Sequence, residues 1–173
     1  YKYKDILHCV KDPLIAAFTL NNLFIVLPML ADSSKKLMEM NGRLNETNEE
    51  LADVIIPISF NFPNLAKVMS LLFVLFAGWF VNTEVPITSY PSFAISGLLS
   101  SFGAKSLTIP FLLNSYQIPE DMYQLFMLAG IVTGRFGILL ASVHLVSLTL
   151  ISIRFMTEGF NVKPLFYLNR RQR

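Results

Sequence analysis

The sequence predicts an all-α membrane protein built as an inverted repeat: a re-entrant helical hairpin followed by a transmembrane helix, twice over. The order is hairpin 1, a broken span, hairpin 2 and a last span. Three observations predict this. Of 173 residues, 53% are hydrophobic and 15% charged, against roughly 25% charged in soluble domains, and the mean hydropathy is +0.51. Two apolar segments, 14–31 and 92–113, are interrupted at their centres, and each is followed by a long hydrophobic stretch. Basic residues crowd the ends, with Lys105 alone between Asn82 and Gly134.

Residues 1–12 are polar and read as an N-terminal flank lying along the membrane face. From Leu14 to Ala31 the chain is apolar but broken by Leu20-Asn21-Asn22. Eighteen helical residues rise about 27 Å, barely a hydrocarbon width. Paired amides at the midpoint therefore favour a hairpin over a lipid-facing span, although a buried helix of a soluble protein would carry the same pattern. The hairpin is assigned to 14–50, with polar residues 32–53 read as a surface helix continuing its second arm. Asn45-Glu46-Thr47 matches a glycosylation sequon and reads as a chance match on a cytoplasmic loop.

The first span is assigned to 51–81. Pro57 and Pro63 bracket Ser59-Phe60-Asn61-Phe62 and should kink or break the helix, freeing carbonyls near Asn61. A merely kinked helix and an ion-related break both fit. After the connection 82–91, the second hairpin, 92–113, is interrupted by Ser100-Ser101-Phe102-Gly103-Ala104-Lys105-Ser106, small residues that allow close backbone approach. The last span is assigned to 119–157. It opens with Pro119-Glu120-Asp121, a proline and two acids suited to a helix start, and is interrupted by Arg135 and His144. Residues 158–173 form a basic tail.

Orientation follows from charge. Lys2, Lys4 and Lys11 at one end and Lys163, Arg170, Arg171 and Arg173 at the other place both ends in the cytoplasm, and connections 82–91 and 114–121 lack Lys and Arg. The expected location is a bacterial inner (plasma) membrane. Broken apolar segments in corresponding positions of two halves point to a transporter's binding core, because only a protein-lined cavity tolerates open backbone at that depth. A net charge of +2 gives no nucleic-acid footprint. Cys9 is the single cysteine, so an intrachain disulfide and a thiolate cluster are excluded. His8 and His144 lack zinc spacing. Nothing resembles a nucleophile–base set, so no enzymatic activity and no cofactor are expected beyond Na⁺ or H⁺ as a coupling ion.

The order of hairpin, broken span, hairpin and long last span resembles the C-terminal transport core of the sodium:dicarboxylate/amino-acid symporter family, which includes glutamate and aspartate transporters. Ala17-Phe18-Thr19-Leu20-Asn21-Asn22-Leu23-Phe24-Ile25-Val26-Leu27-Pro28 looks like the family's first-hairpin stretch, where a serine-rich tip runs into Leu-Pro. Ser101-Phe102-Gly103-Ala104 matches the second hairpin, and Arg135 looks like the arginine of the family's last helix. The resemblance spans most of 5–155 and implies symport of a small carboxylate by alternating access. It also implies N-terminal scaffold spans outside this chain and a homo-oligomer formed through them. Tyr1 in place of an initiator methionine agrees with a longer parent chain.

The departures are informative. The serine-rich tip is Asn21-Asn22-Leu23, and the Asn-Met-Asp-Gly-Thr motif of the unwound span is reduced to Asn61-Phe62-Pro63-Asn64-Leu65. The places of the last helix's ammonium-binding and sodium-binding acids hold apolar residues such as Val132, Leu139 and Val143. Oxygen ligands for Na⁺ are thus sparse, which counts against an α-amino acid substrate and against multi-sodium coupling.

The expected substrate-binding residues are Arg135, Thr19, Asn21, Asn22, Ser101, Gly103 and Lys105. Arg135 is the sharpest: an arginine amid Ile131, Phe136 and Leu139 requires a partner or a polar cavity, and its planar fork suits a carboxylate. The competing reading has it snorkelling or facing a missing domain. Lys105 either joins Arg135 around a dianion or caps its hairpin tip. Asn61, Asn64 and His144 are the coupling-ion candidates, His144 being either a proton carrier or a satisfied core histidine. The rival to transport is a degenerate membrane module that senses or anchors. Cysteine-accessibility labelling checks the topology. Cysteines placed at 86 and 118 should label from outside, and labelling from the cytoplasmic side alone overturns the arrangement.

Overall fold

The computed structural model describes residues 1–158 and contains, among them, helices and connections without a strand. In chain order these are α1 (Tyr3–Leu20), α2 (Leu23–Met40), α3 (Glu46–Asn61), α4 (Leu65–Phe80), a 3₁₀ turn (Ile87–Ser89), α5 (Tyr90–Ser100), α6 (Lys105–Ser115) and α7 (Asp121–Glu158). The expected tail 158–173 lies outside the described residues, save the helical backbone of Glu158.

Helix ends are written in local chemistry. Asn21 closes α1 in the left-handed region (φ 50°), its amide bonded to the Ala17 carbonyl, and Asn22 then caps α2 by accepting the Phe24 amide at 3.0 Å. One asparagine stops a helix while the next starts another. Gly42 (φ 64°) follows α2, Asn82 (φ 57°) follows α4 and Gln117 (φ 56°) follows α6. Asn45 caps α3 through the Asn48 amide at 2.8 Å. Asn64 caps α4 through the Lys67 amide at 3.2 Å.

Three boundaries differ from expectation. The polar flank 1–12 is helical from Tyr3 onward, because Ile6, Val10, Pro13 and Ala17 recur at helical spacing and pack inward. Residues 32–53 are not one surface helix. Asn41-Gly42 ends α2, α3 starts afresh at Glu46, and Ser33, Ser34, Leu37 and Met38 are buried. The span breaks once rather than around both prolines. α3 runs through Pro57, whereas Phe62 is held extended (ψ 158°) by the proline that follows it.

α7 is the common element, packing against α1, α2, α3, α4 and α6. The side chains divide into two cores along it. One gathers α1, α2, α3, Ala66 and the C-terminal half of α7 from Ile138 to Ile153. The other gathers α4 from Leu71 onward, Val85, Phe93 of α5, α6, Ile118 and the start of α7 up to Phe126. Residues 127–137 of α7 belong to neither core.

Glu46–Phe80, which spans α3, the break and α4, and Asp121–Thr157 are long and apolar enough to cross a membrane. Only 28% and 39% of their most apolar windows are buried, whereas the core helix of a soluble protein is mostly buried. Leu72, Phe76, Trp79, Phe80, Leu128, Ile131 and Val132 all face outward. Serine and threonine hydroxyls on these helices donate to carbonyls one turn back, as Ser70 does to Ala66 and Thr149 to Leu145, which satisfies them without water. On the polar end Lys35 of α2 meets Asp53 of α3 at 2.7 Å and Glu49 at 3.6 Å. The Asp53 hydrogen bond raises the Lys35 pKa above its ordinary value. Its small contribution is therefore present at neutral pH and lost only as pH rises through that raised pKa.

Gly78 lies where a Cβ would sit 2.8 Å from the Thr83 carbonyl oxygen and 3.2 Å from Ile118 Cδ1. Backbone cannot yield as a side-chain tip does. Gly78→Ala should lower stability by about 1–3 kcal/mol, read as the thermal midpoint of the detergent-solubilised protein. Gly130→Ala, with nothing within 4 Å of the new carbon, should not.

Candidate functional site

The first hairpin's turn comes to rest on the stretch of α7 that neither core claims. A Cβ built on Gly134 would be 3.6 Å from Asn21 Oδ1 and 3.9 Å from Asn21 Nδ2, so the amide of the tip lies over that glycine. One residue on, the Arg135 guanidinium stands 6.0 Å from the centre of the Phe18 ring. The same ring meets Phe136 edge-on at 5.4 Å. Two residues further, Gly137 faces Ala66 at the start of α4, a Cβ there lying 3.5 Å from Ala66 Cβ. One turn of α7, about 21 Å from its start, is thus met by the first tip and by the restart of the broken span.

Arg135 is exposed and joins neither of the ion pairs found among the described residues, both of which belong to Lys35. Its contact is the face of Phe18, a cation–π arrangement worth about 0.5–1 kcal/mol at an exposed site. That orients the guanidinium without neutralising it.

Of the other expected residues at the first tip, Thr19 is exposed and donates its hydroxyl to the Ile15 carbonyl at 2.8 Å. Asn22 is committed to capping α2. Asn21 is the one whose side chain lies on α7 beside Arg135. The second tip forms a different group. Ser101 is buried and donates to the Gly97 carbonyl at 2.6 Å. Gly103 sits where a Cβ would be 3.2 Å from the Ser100 carbonyl oxygen. Both residues, with Lys105, line a small cavity shared with Lys67, Ser70 and Thr108. Arg135 is not in that lining. Phe102, at the crest of the tip, meets Phe62 of the broken span edge-on at 5.8 Å.

The coupling-ion candidates lie at the end of α3, at the cap of α4 and on α7. Asn64 is buried and spent on its helix cap. Asn61 is exposed and reaches back to the Pro57 carbonyl at 3.4 Å. His144, half-buried, lies a further 13 Å or about that along α7 from Arg135. Among the described residues no group of three or more His, Cys, Asp or Glu side chains could hold a metal ion.

Sequence reasoning passed over Lys67, which lies within the span assigned to 51–81. The signal was there: a cation three residues past Asn64, at a helix start, where positive charge is disfavoured. Phe18 was likewise quoted only as part of a stretch, and no sequence rule pairs it with a residue more than a hundred positions away.

No family model, curated protein or solved structure matches this chain.

The left-handed backbone of Asn21 gives a test of the tip. Asn21→Gly should leave the thermal midpoint nearly unchanged. Asn21→Val, a β-branched residue forced to the same φ, should cost roughly 1–2 kcal/mol, read by circular dichroism in detergent.

Proposed function

We propose that this chain is the membrane-embedded binding core of a transporter for a small organic anion, most simply a mono- or dicarboxylate, worked by alternating access. One observation carries the reading. Arg135 lies midway along an apolar helix, in the turn touched by the first hairpin tip, with no carboxylate paired to it among the described residues. A guanidinium at that depth calls for an anion, and its planar fork is shaped for a carboxylate. Asn21 beside it supplies neutral hydrogen bonding.

In this reading both ends of 1–158 face the cytoplasm, and hairpin 1 enters from that side. Hairpin 2 enters from outside and serves as the gate. Its tip is held by the Phe62–Phe102 contact, and freeing it would open a path to the solute. The core would move against scaffold spans of a longer chain, in a homo-oligomer, as the resemblance to the sodium:dicarboxylate symporters implies. Asn64 is committed to its cap and Asn61 reaches back to the Pro57 carbonyl. That supports coupling to fewer sodium ions than those relatives use, or to protons.

The test is uptake into proteoliposomes by the full-length protein. Arg135→Lys keeps the charge and loses the fork, so carboxylate uptake should fall by at least about tenfold while membrane insertion persists. Unchanged uptake removes Arg135 from the site. Separately imposed sodium and proton gradients at clamped potential identify the coupling ion. No uptake of any carboxylate under either gradient would favour a sensing or anchoring module.

A further inference from the structure

We infer that Lys67 and Lys105 form an anion-binding site beneath the second hairpin tip, which takes one small anionic head, a halide or a terminal carboxylate, and clamps the tip to the start of α4 while occupied. The site stands on its own geometry; its effect on gating rests on the transport function proposed above. Lys67 is the third residue of α4 and Lys105 the first of α6, and both line one cavity of about 10 Å³, room for one water-sized species. Each lysine therefore stands at the positive end of a helix, where a cation is disfavoured; Lys67 is half-buried and Lys105 exposed. Neither belongs to an ion pair among the described residues.

The cavity's other polar groups sharpen the choice of ligand. Ser70, Ser101 and Thr108 spend their hydroxyl protons on the carbonyls of Ala66, Gly97 and Ser100. Ala104, which precedes α6, has no side chain with which to cap the helix's first amides. The lining holds two lysines and no carboxylate. A neutral solute would leave two like charges in one small space. An anion converts their repulsion into a bridge between the tip and the start of α4, beside the Phe62–Phe102 contact.

The experiment uses the full-length protein in lipid nanodiscs, in a HEPES buffer of constant ionic strength whose bulky sulfonate is the only anion, with chloride or acetate then titrated in. In HEPES alone, Lys67→Gln should raise the thermal midpoint above wild type, because repulsion is relieved. At saturating small anion the order should reverse. Amide exchange across 98–108 should slow at least about tenfold in wild type and not in Lys67→Gln or Lys105→Gln. Lys67→Arg should keep the response, and the exposed Lys36→Gln should behave as wild type. A response to acetate alone identifies a terminal carboxylate as the ligand; a response to chloride identifies a small inorganic anion. No response to either, or equal responses in wild type and Lys67→Gln, overturns the site. Because the readout needs no uptake, its failure is distinct from a failure of Arg135→Lys to alter transport.

Discussion

A helix that ends inside hydrocarbon leaves up to four backbone donors or acceptors without partners, and each costs several kcal/mol where no water can reach it. That constraint falls on every break of this chain, which has two stretches long and apolar enough to cross a membrane. Its helices turn apolar faces outward and yet stop and restart at 21–22, 62–64 and 101–104. At the first two breaks asparagine side chains take up amides of the next helix. At the third, no side chain caps α6, and a threonine hydroxyl crosses the turn to the Ser100 carbonyl instead. Of these three restarts, the one without a side-chain cap is the one beside two lysines.

Charge is distributed by the same logic. Lys35, with its two carboxylates, sits on the polar end of the molecule. Lys67 and Lys105 sit at the starts of α4 and α6, and Arg135 in the unbroken middle of α7 where the first tip meets it. Among the described residues none of the three is joined to a carboxylate. Phe18 and Phe102 play parallel parts, each bringing a hairpin tip into contact with a span through the edge or face of a ring.

Much of this was legible in the residues because local chemistry made it so. Asn21-Asn22, Pro63-Asn64 and the small residues 101–104 mark breaks by short-range rules that need no tertiary information. Arg135 stood out because no acidic residue follows the first turn of its helix before Glu158. Long-range pairings were not legible. Of the two readings of Lys105, a place beside Arg135 drew on shared charge alone; α6 packs on α4 and brings Lys105 to the cavity that Lys67 also lines. The Asn64 amide looked like an ion ligand because a cap and a ligand use the same oxygen, and only the helix starting behind it distinguishes them. The stop at Gly42 was missed for a plainer reason: polar residues 32–53 suggested a continuous exposed face, and one left-handed residue was enough to end it.

The division of side chains between two cores also sets an order of assembly during synthesis. The core around Leu71, Ile109 and Phe126 draws on one continuous stretch of chain and can consolidate as soon as that stretch has emerged. The core around Leu30 and Ile56 lacks its closing wall until Leu145 to Ile153 have been made. At about 5–20 residues per second, the first hairpin waits on the order of ten seconds with its inner face uncovered. The half of the molecule made first is therefore the half finished last, and a nascent chain arrested before the end of α7 would present that open face to whatever lipid, insertase or chaperone lies beside it.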